Sequence, residues 1–162
     1  MRPLFTLVIL LTPACAPAPP PASSVSLTLG APASNSDGSG FAPLHDGEDV
    51  TLVAGAQGGF HVWLKYHLDG AGPADAEGEL SRTAHRLSDG ALVLRTQNVV
   101  TLDPDPPAIR MFMCPSPIGL SILDVPIVYE LALDPGGVHQ SITLVPHCPV
   151  EQGDFCREIC SG

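Results

Sequence analysis

Residues 60–68 read Phe60-His61-Val62-Trp63-Leu64-Lys65-Tyr66-His67-Leu68, and this stretch decides the fold. Phe60, Val62, Leu64, Tyr66 and Leu68 alternate with His61, Trp63, Lys65 and His67. A period of two belongs to a β-strand, whose successive side chains point to opposite faces, so the first set predicts a core face and the second the other face of the sheet. The alternation returns near the C-terminus, where Val125, Ile127, Tyr129, Leu131 and Leu133 lead into Asp134-Pro135-Gly136-Gly137, and Val138, Gln140, Ile142 and Leu144 come back. Proline followed by paired glycines supplies the turn of a hairpin.

Outward from these two anchors the chain is a series of short β-type runs punctuated by glycine, proline and aspartate, without a sustained helical period. Strands are predicted over 24–29, 49–53, 59–68, 80–87, 91–102, 109–113, 125–133 and 138–145. This spacing predicts an all-β chain with one β-sandwich of seven or eight antiparallel strands, of immunoglobulin or fibronectin type III architecture, over 25–148. The cysteine, tryptophan, cysteine spacing of a true immunoglobulin domain is missing, so the likeness is one of architecture. A Cys-containing tail follows at 149–162.

The first residues are of another kind. Arg2, the apolar stretch from Leu4 to Leu11 and the small Ala14 precede Cys15, and APAPPPASS follows it. The arrangement resembles the signal of a bacterial lipoprotein, removed over 1–14 so that Cys15 becomes a lipid-modified N-terminus carrying acyl chains such as palmitate. Crossing a hydrocarbon core takes roughly 20 residues of helix, which the apolar stretch is too short to provide. Leu11 lies four residues before Cys15 rather than the usual three, which keeps ordinary secretory cleavage and a soluble secreted product open. Residues 15–24 form the anchor cysteine and a Pro/Ala-rich tether. Such a tether is expected to be extended and disordered, reaching roughly 28 Å in polyproline II. Ala16 after the cysteine is not aspartate, which resembles the default for the outer membrane.

Five cysteines are present; giving Cys15 to lipid leaves Cys114, Cys148, Cys156 and Cys160 for two disulfides in an oxidising compartment. Sequence leaves the pairing open. Cys114–Cys148 would staple the last hairpin and leave Cys156 to Cys160, but an i, i+4 bridge along one helical face is awkward, so Cys114 with a tail cysteine is a serious rival. The spacing lacks the short pairs of a zinc site or a CxxC redox motif. A net charge of −10 and a single lysine argue against nucleic acid as a partner.

The segment FAPLHDGEDVTLVAGAQGGFHVWLKYHLDG resembles a pattern of uncharacterised exported lipoproteins of high-GC Gram-negative bacteria, in which a DGD turn, an apolar strand, a GPQGG turn and an HVW strand follow one another. The matching residues are Asp46, Gly47, Asp49, Gly55, Gln57, Gly58, Gly59, His61, Val62 and Trp63. Ala56 replaces the frequent proline and Glu48 intervenes in the first turn. The resemblance implies an exported immunoglobulin-like domain and carries no activity with it.

Chemistry-bearing patterns are weak. Gln57-Gly58-Gly59 reads as a tight corner between core strands, because no P-loop lysine or helix start follows. His61 and His67 share a strand face but lie roughly 20 Å apart, too far for one ion. Asn35, Asp37, Ser39, Gly40 and Asp46 fit a calcium loop only in a degenerate way, lacking the final glutamate and flanking helices, and Asp103-Pro104-Asp105-Pro106-Pro107 reads as a stiff connector. No metal or cofactor is expected. No nucleophile elbow or metalloprotease helix orders the serines, histidines and acids, so the expectation is a non-enzymatic protein.

The function expected is that of a cell-envelope protein, lipid-anchored in the outer membrane and facing periplasm or exterior, that binds an envelope protein through the surface bearing His61, Trp63, Lys65 and His67. A structural accessory of an envelope complex, or a carbohydrate- or metal-binding module, are the alternatives.

Overall fold

A computed structural model of the chain describes residues 25–34, 38–70, 76–103, 106–116, 119–134 and 137–162. Cys15, the leader, the tether, Asn35, Asp37 and Asp105 lie outside the described residues.

The strands are β1 (Ser26–Ala31), β2 (Ala42–Pro43), β3 (Glu48–Thr51), β4 (Val53–Ala54), β5 (Phe60–Asp69), β6 (Glu77–Arg86), β7 (Leu92–Thr101), β8 (Ile109–Cys114), β9 (Ile127–Asp134) and β10 (Val138–His147). A turn of 3₁₀-helix (Val150–Gln152) leads into helix α1 (Gly153–Cys160). Two sheets face each other, one with β1, β2, β4, β5 and β8, the other in the order β3-β10-β9-β6-β7. The chain is thus an all-β sandwich. The chain crosses between sheets at β2 to β3, β3 to β4, β5 to β6, β7 to β8 and β8 to β9, while β6–β7 and β9–β10 are hairpins within one sheet, the Greek-key arrangement of immunoglobulin-like domains.

The eight strands longer than two residues fall where the alternation put them. Two features differ. The pairs β1–β2 and β4–β5 add two-residue segments that carry no period of their own. And β3 runs parallel to β10, with Glu48 opposite Leu144 and Thr51 opposite His147, so the sandwich is not wholly antiparallel. The chain reaches this edge because Asp46 Oδ1 accepts from the Thr143 amide at 2.7 Å and the Leu52 amide donates to the His147 carbonyl at 2.8 Å, pinning both ends of β3.

β5 organises the first sheet. Its second half pairs with β1, and its first two residues pair with both β4 and β8, which therefore flank it on opposite edges. Phe60, Val62, Leu64, Tyr66 and Leu68 enter the core and meet Leu80, Ala84, Ile127, Tyr129, Leu131 and Leu144 of the other sheet. Each such aliphatic or aromatic side chain contributes about 1.5–3 kcal/mol on burial, which makes this interface the main stabilising term.

The corner into β5 is tight. A Cβ on Gly59 would sit 2.5 Å from Phe112 Cε2 and 2.6 Å from the Cys114 carbonyl oxygen, and Gly58 has φ +82°. Both glycines are thus required by close packing and turn geometry, as the corner reading expected.

The tail is not loose. Cys114 is bonded to Cys160 and Cys148 to Cys156, with Cα separations of 5.1 and 5.7 Å. Cys156 and Cys160 lie on one face of α1, both buried, their sulfurs 4.0 Å apart, and each reaches a different part of the sandwich instead of its helical neighbour. A helix of this length is marginal alone, and the two bridges, with Phe155 packed 5.8 Å from Phe60, fix it over the end of the core.

Candidate functional site

The second face of β5 is less open than the alternation suggested. His61 and Lys65 are buried at 5% and 4% exposure, while Trp63 and His67 are half-buried. Two pieces of chain cover this face. Phe41, just before β2, lies so close over β1 that a Cβ on Gly30 would meet its ring at 2.5 Å, and Gly30 is directly opposite Lys65. The same ring sits 6.1 Å from the His67 imidazole. On the other edge β8 places Phe112 opposite His61 and Arg110 opposite Trp63. Directly opposed residues of an antiparallel pair project to the same side, so Arg110 and Phe112 share the face with His61 and Trp63.

The four residues singled out from sequence are therefore one ladder, but not one exposed surface. What remains open is its β8 side. The Arg110 guanidinium carbon is 4.9 Å from the Trp63 ring centroid, a cation–π distance, and the His61 ring meets Trp63 edge-on at 4.9 Å. Phe112 is 46% exposed beside them. Burial, and then the Arg110 charge, hold the His61 imidazole below its ordinary pKa, so at neutral pH it is a neutral ring within the stack.

Next to Trp63 lies a pocket of about 480 Å3, lined by Gly38, Trp63, Arg82, Arg110 and the run Pro107-Ala108-Ile109. Arg82 arrives from β6, the opposite sheet, where Leu80 and Ala84 on either side of it are buried; desolvation depresses its pKa, and one of its nitrogens donates to Asn98 Oδ1. The Arg82 Nε–H and the Trp63 Nε1–H are both buried without an acceptor among the described residues, as is His61 Nε2 without a partner. Burying a polar N–H without a partner costs about 1–3 kcal/mol, so the Arg82 and Trp63 N–H groups, which both line this pocket, mark a place where the fold is not optimised for stability.

Sequence reasoning missed Arg82, Arg110 and Phe112. Only the β5–β8 register brings the latter two to Trp63, and no local pattern announces a register between strands so far apart in the chain. The alternation of Arg110 and Phe112 with Ile109, Met111 and Met113 was the one available signal.

A second charged cluster joins β3, β10 and the loop before β9. His147 Nδ1 lies 2.6 Å from Asp124 Oδ1 and its Nε2 lies 2.8 Å from Asp49 Oδ1, and the two carboxylates raise the imidazole pKa. Each ring nitrogen serves a different carboxylate, which makes this a clamp between three segments. Elsewhere His67 stands 3.4 Å from Asp69, and His85 stands 4.0 Å from Glu130.

No protein-family model matches the chain, and no curated protein matches its sequence.

Proposed function

We propose that this chain is an exported, non-enzymatic binding module, lipid-anchored through Cys15 in the cell envelope, that engages another envelope protein through the Trp63, Arg110 and Phe112 side of the β5–β8 ladder. The address rests on the leader before Cys15 and on an even set of four further cysteines, which stand at disulfide distance in two pairs. The binding reading is carried by one observation: a tryptophan capped by an arginine, with a half-exposed phenylalanine alongside, on the surface of an acidic chain. Tryptophan and arginine dominate interface hot spots because they combine large contact area with directional polar groups. His61 and Lys65 support this surface from beneath and are not contact residues.

Photo-crosslinking in intact cells tests the reading, with the reactive group placed at Phe112 and, as a control on another exposed apolar position, at Val99 of β7. A discrete adduct from Phe112 that is absent from Val99 supports it. Adducts from Val99 alone, or from neither position, contradict it.

A further inference from the structure

The pocket beside Trp63 has two arginines in its lining. Two of the seven basic residues of a chain with net charge −10 converge there from opposite sheets. No carboxylate lines the pocket among the described residues, and Arg110 has no acidic partner there; its contact is the Trp63 ring. Arg86, by contrast, is satisfied by Asp89 in its own turn. Arg82 and Arg110 line the same pocket, the Arg82 Nε–H is buried without an acceptor among the described residues, and an anion there offers acceptors to both planar donor forks.

The rest of the pocket narrows the ligand. Pro107, Ala108 and Ile109 form an apolar wall, and the pocket is too large for a bare small anion. The same three residues also line an adjoining cavity of about 330 Å3 that includes Asp103, whose charge opposes a second negative group on that side. The chemistry is that of a monoanion with an apolar body.

We infer that this pocket binds a carboxylate joined to a compact apolar group, with the Arg82 and Arg110 guanidiniums holding the carboxylate and Pro107, Ala108 and Ile109 packing the apolar part. The inference rests on the reading of the Trp63 side as a binding surface and names the chemistry it takes. Such a group occurs at the C-terminal residue of a peptide and in a free organic acid.

Trp63 is the sole tryptophan, so its emission reports the pocket directly. The purified protein is titrated with N-acetyl-L-phenylalanine and with its primary amide, and calorimetry supplies a second readout. The acid is expected to give a saturable change that weakens with added salt, and the amide to bind at least about tenfold more weakly. Arg110→Gln, at an exposed position, is expected to weaken the acid about tenfold with the far-UV circular dichroism unchanged, and Arg82→Gln to do the same. A tetrapeptide ending in phenylalanine, as free acid and as amide, separates the sources: tighter binding than the acetylated residue assigns the site to a peptide C-terminus, and equal or weaker binding to a free acid. Indistinguishable acid and amide, no saturation by about 10 mM, or wild-type affinity in Arg110→Gln overturns the inference. If that happens while Phe112 still crosslinks a partner, the docking surface stands and this ligand assignment falls.

Discussion

Arg110 and Trp63 are directly opposed on β8 and β5, and the guanidinium carbon stands 4.9 Å from the indole centroid. The arginine therefore closes the open side of the indole and at the same time keeps a cation at the pocket mouth. An exposed cation–π pair contributes about 0.5–1 kcal/mol. Arg110→Ala is expected to lower the unfolding free energy by that amount, read from a circular-dichroism urea titration, and to shift Trp63 emission to longer wavelength. A loss well above 2 kcal/mol would mean that Arg110 is a structural residue rather than a surface one.

His147 gives the fold a pH dependence of definite sign. Its folded pKa is raised above 6.5 by Asp49 and Asp124, so the charged form is favoured in the folded state. The stabilisation is fully present below about pH 6.5 and is lost as pH rises through the raised folded value. Because the ring is 39% exposed and the carboxylates more so, the effect is that of a screened surface pair and falls with salt. Denaturant midpoints between pH 5.5 and 8.5 should decline for the wild type relative to His147→Gln; parallel curves would remove the clamp from the account.

Tyr129 is fully buried with its hydroxyl unpartnered among the described residues, and burial pushes its phenol pKa up. Tyr129→Phe keeps the ring and removes the orphan group. The variant should be as stable as the wild type or more stable by about 1 kcal/mol, measured by thermal and urea unfolding. Destabilisation by 1 kcal/mol or more would reveal a partner for the hydroxyl.

The two bridges should differ in weight. Chain-entropy arguments give about 4 kcal/mol for Cys114–Cys160, with a sequence separation of 46, and about 2.5 kcal/mol for Cys148–Cys156, with a separation of 8. The paired serine variants at Cys114 and Cys160 should therefore lose more stability than those at Cys148 and Cys156. The opposite order would place the stabilising role in docking α1 rather than in closing the long loop.

The strands were legible because this sandwich buries one face of most of them, which writes a period of two into Phe60–Leu68 and into Val125–Leu144. β2 and β4 were not, since two-residue segments have no period, and the parallel seating of β3 on β10 depends on the distant Asp46–Thr143 contact. The disulfide pairing was open for a similar reason. Only the position of α1 over the core shows why Cys156 and Cys160, neighbours on one helical face, turn to Cys148 and Cys114. On the β5 ladder, sequence singled out His61, Trp63, Lys65 and His67. It could not show that Phe41 covers the His67 and Lys65 end, or that Arg82 and Arg110 converge on the other, because both facts are properties of long-range packing.

The claim that joins fold to function is that an anchored, disulfide-bearing module stands in the envelope. Intact mass spectrometry of the protein isolated from native membranes, with thiol alkylation before and after reduction and peptide mapping of the bridges, tests it most directly. The account predicts a chain beginning at Cys15 with diacylglyceryl and acyl mass, four thiols that appear only on reduction, and bridges Cys114–Cys160 and Cys148–Cys156. An unlipidated N-terminus at Cys15, or free thiols before reduction, would contradict it.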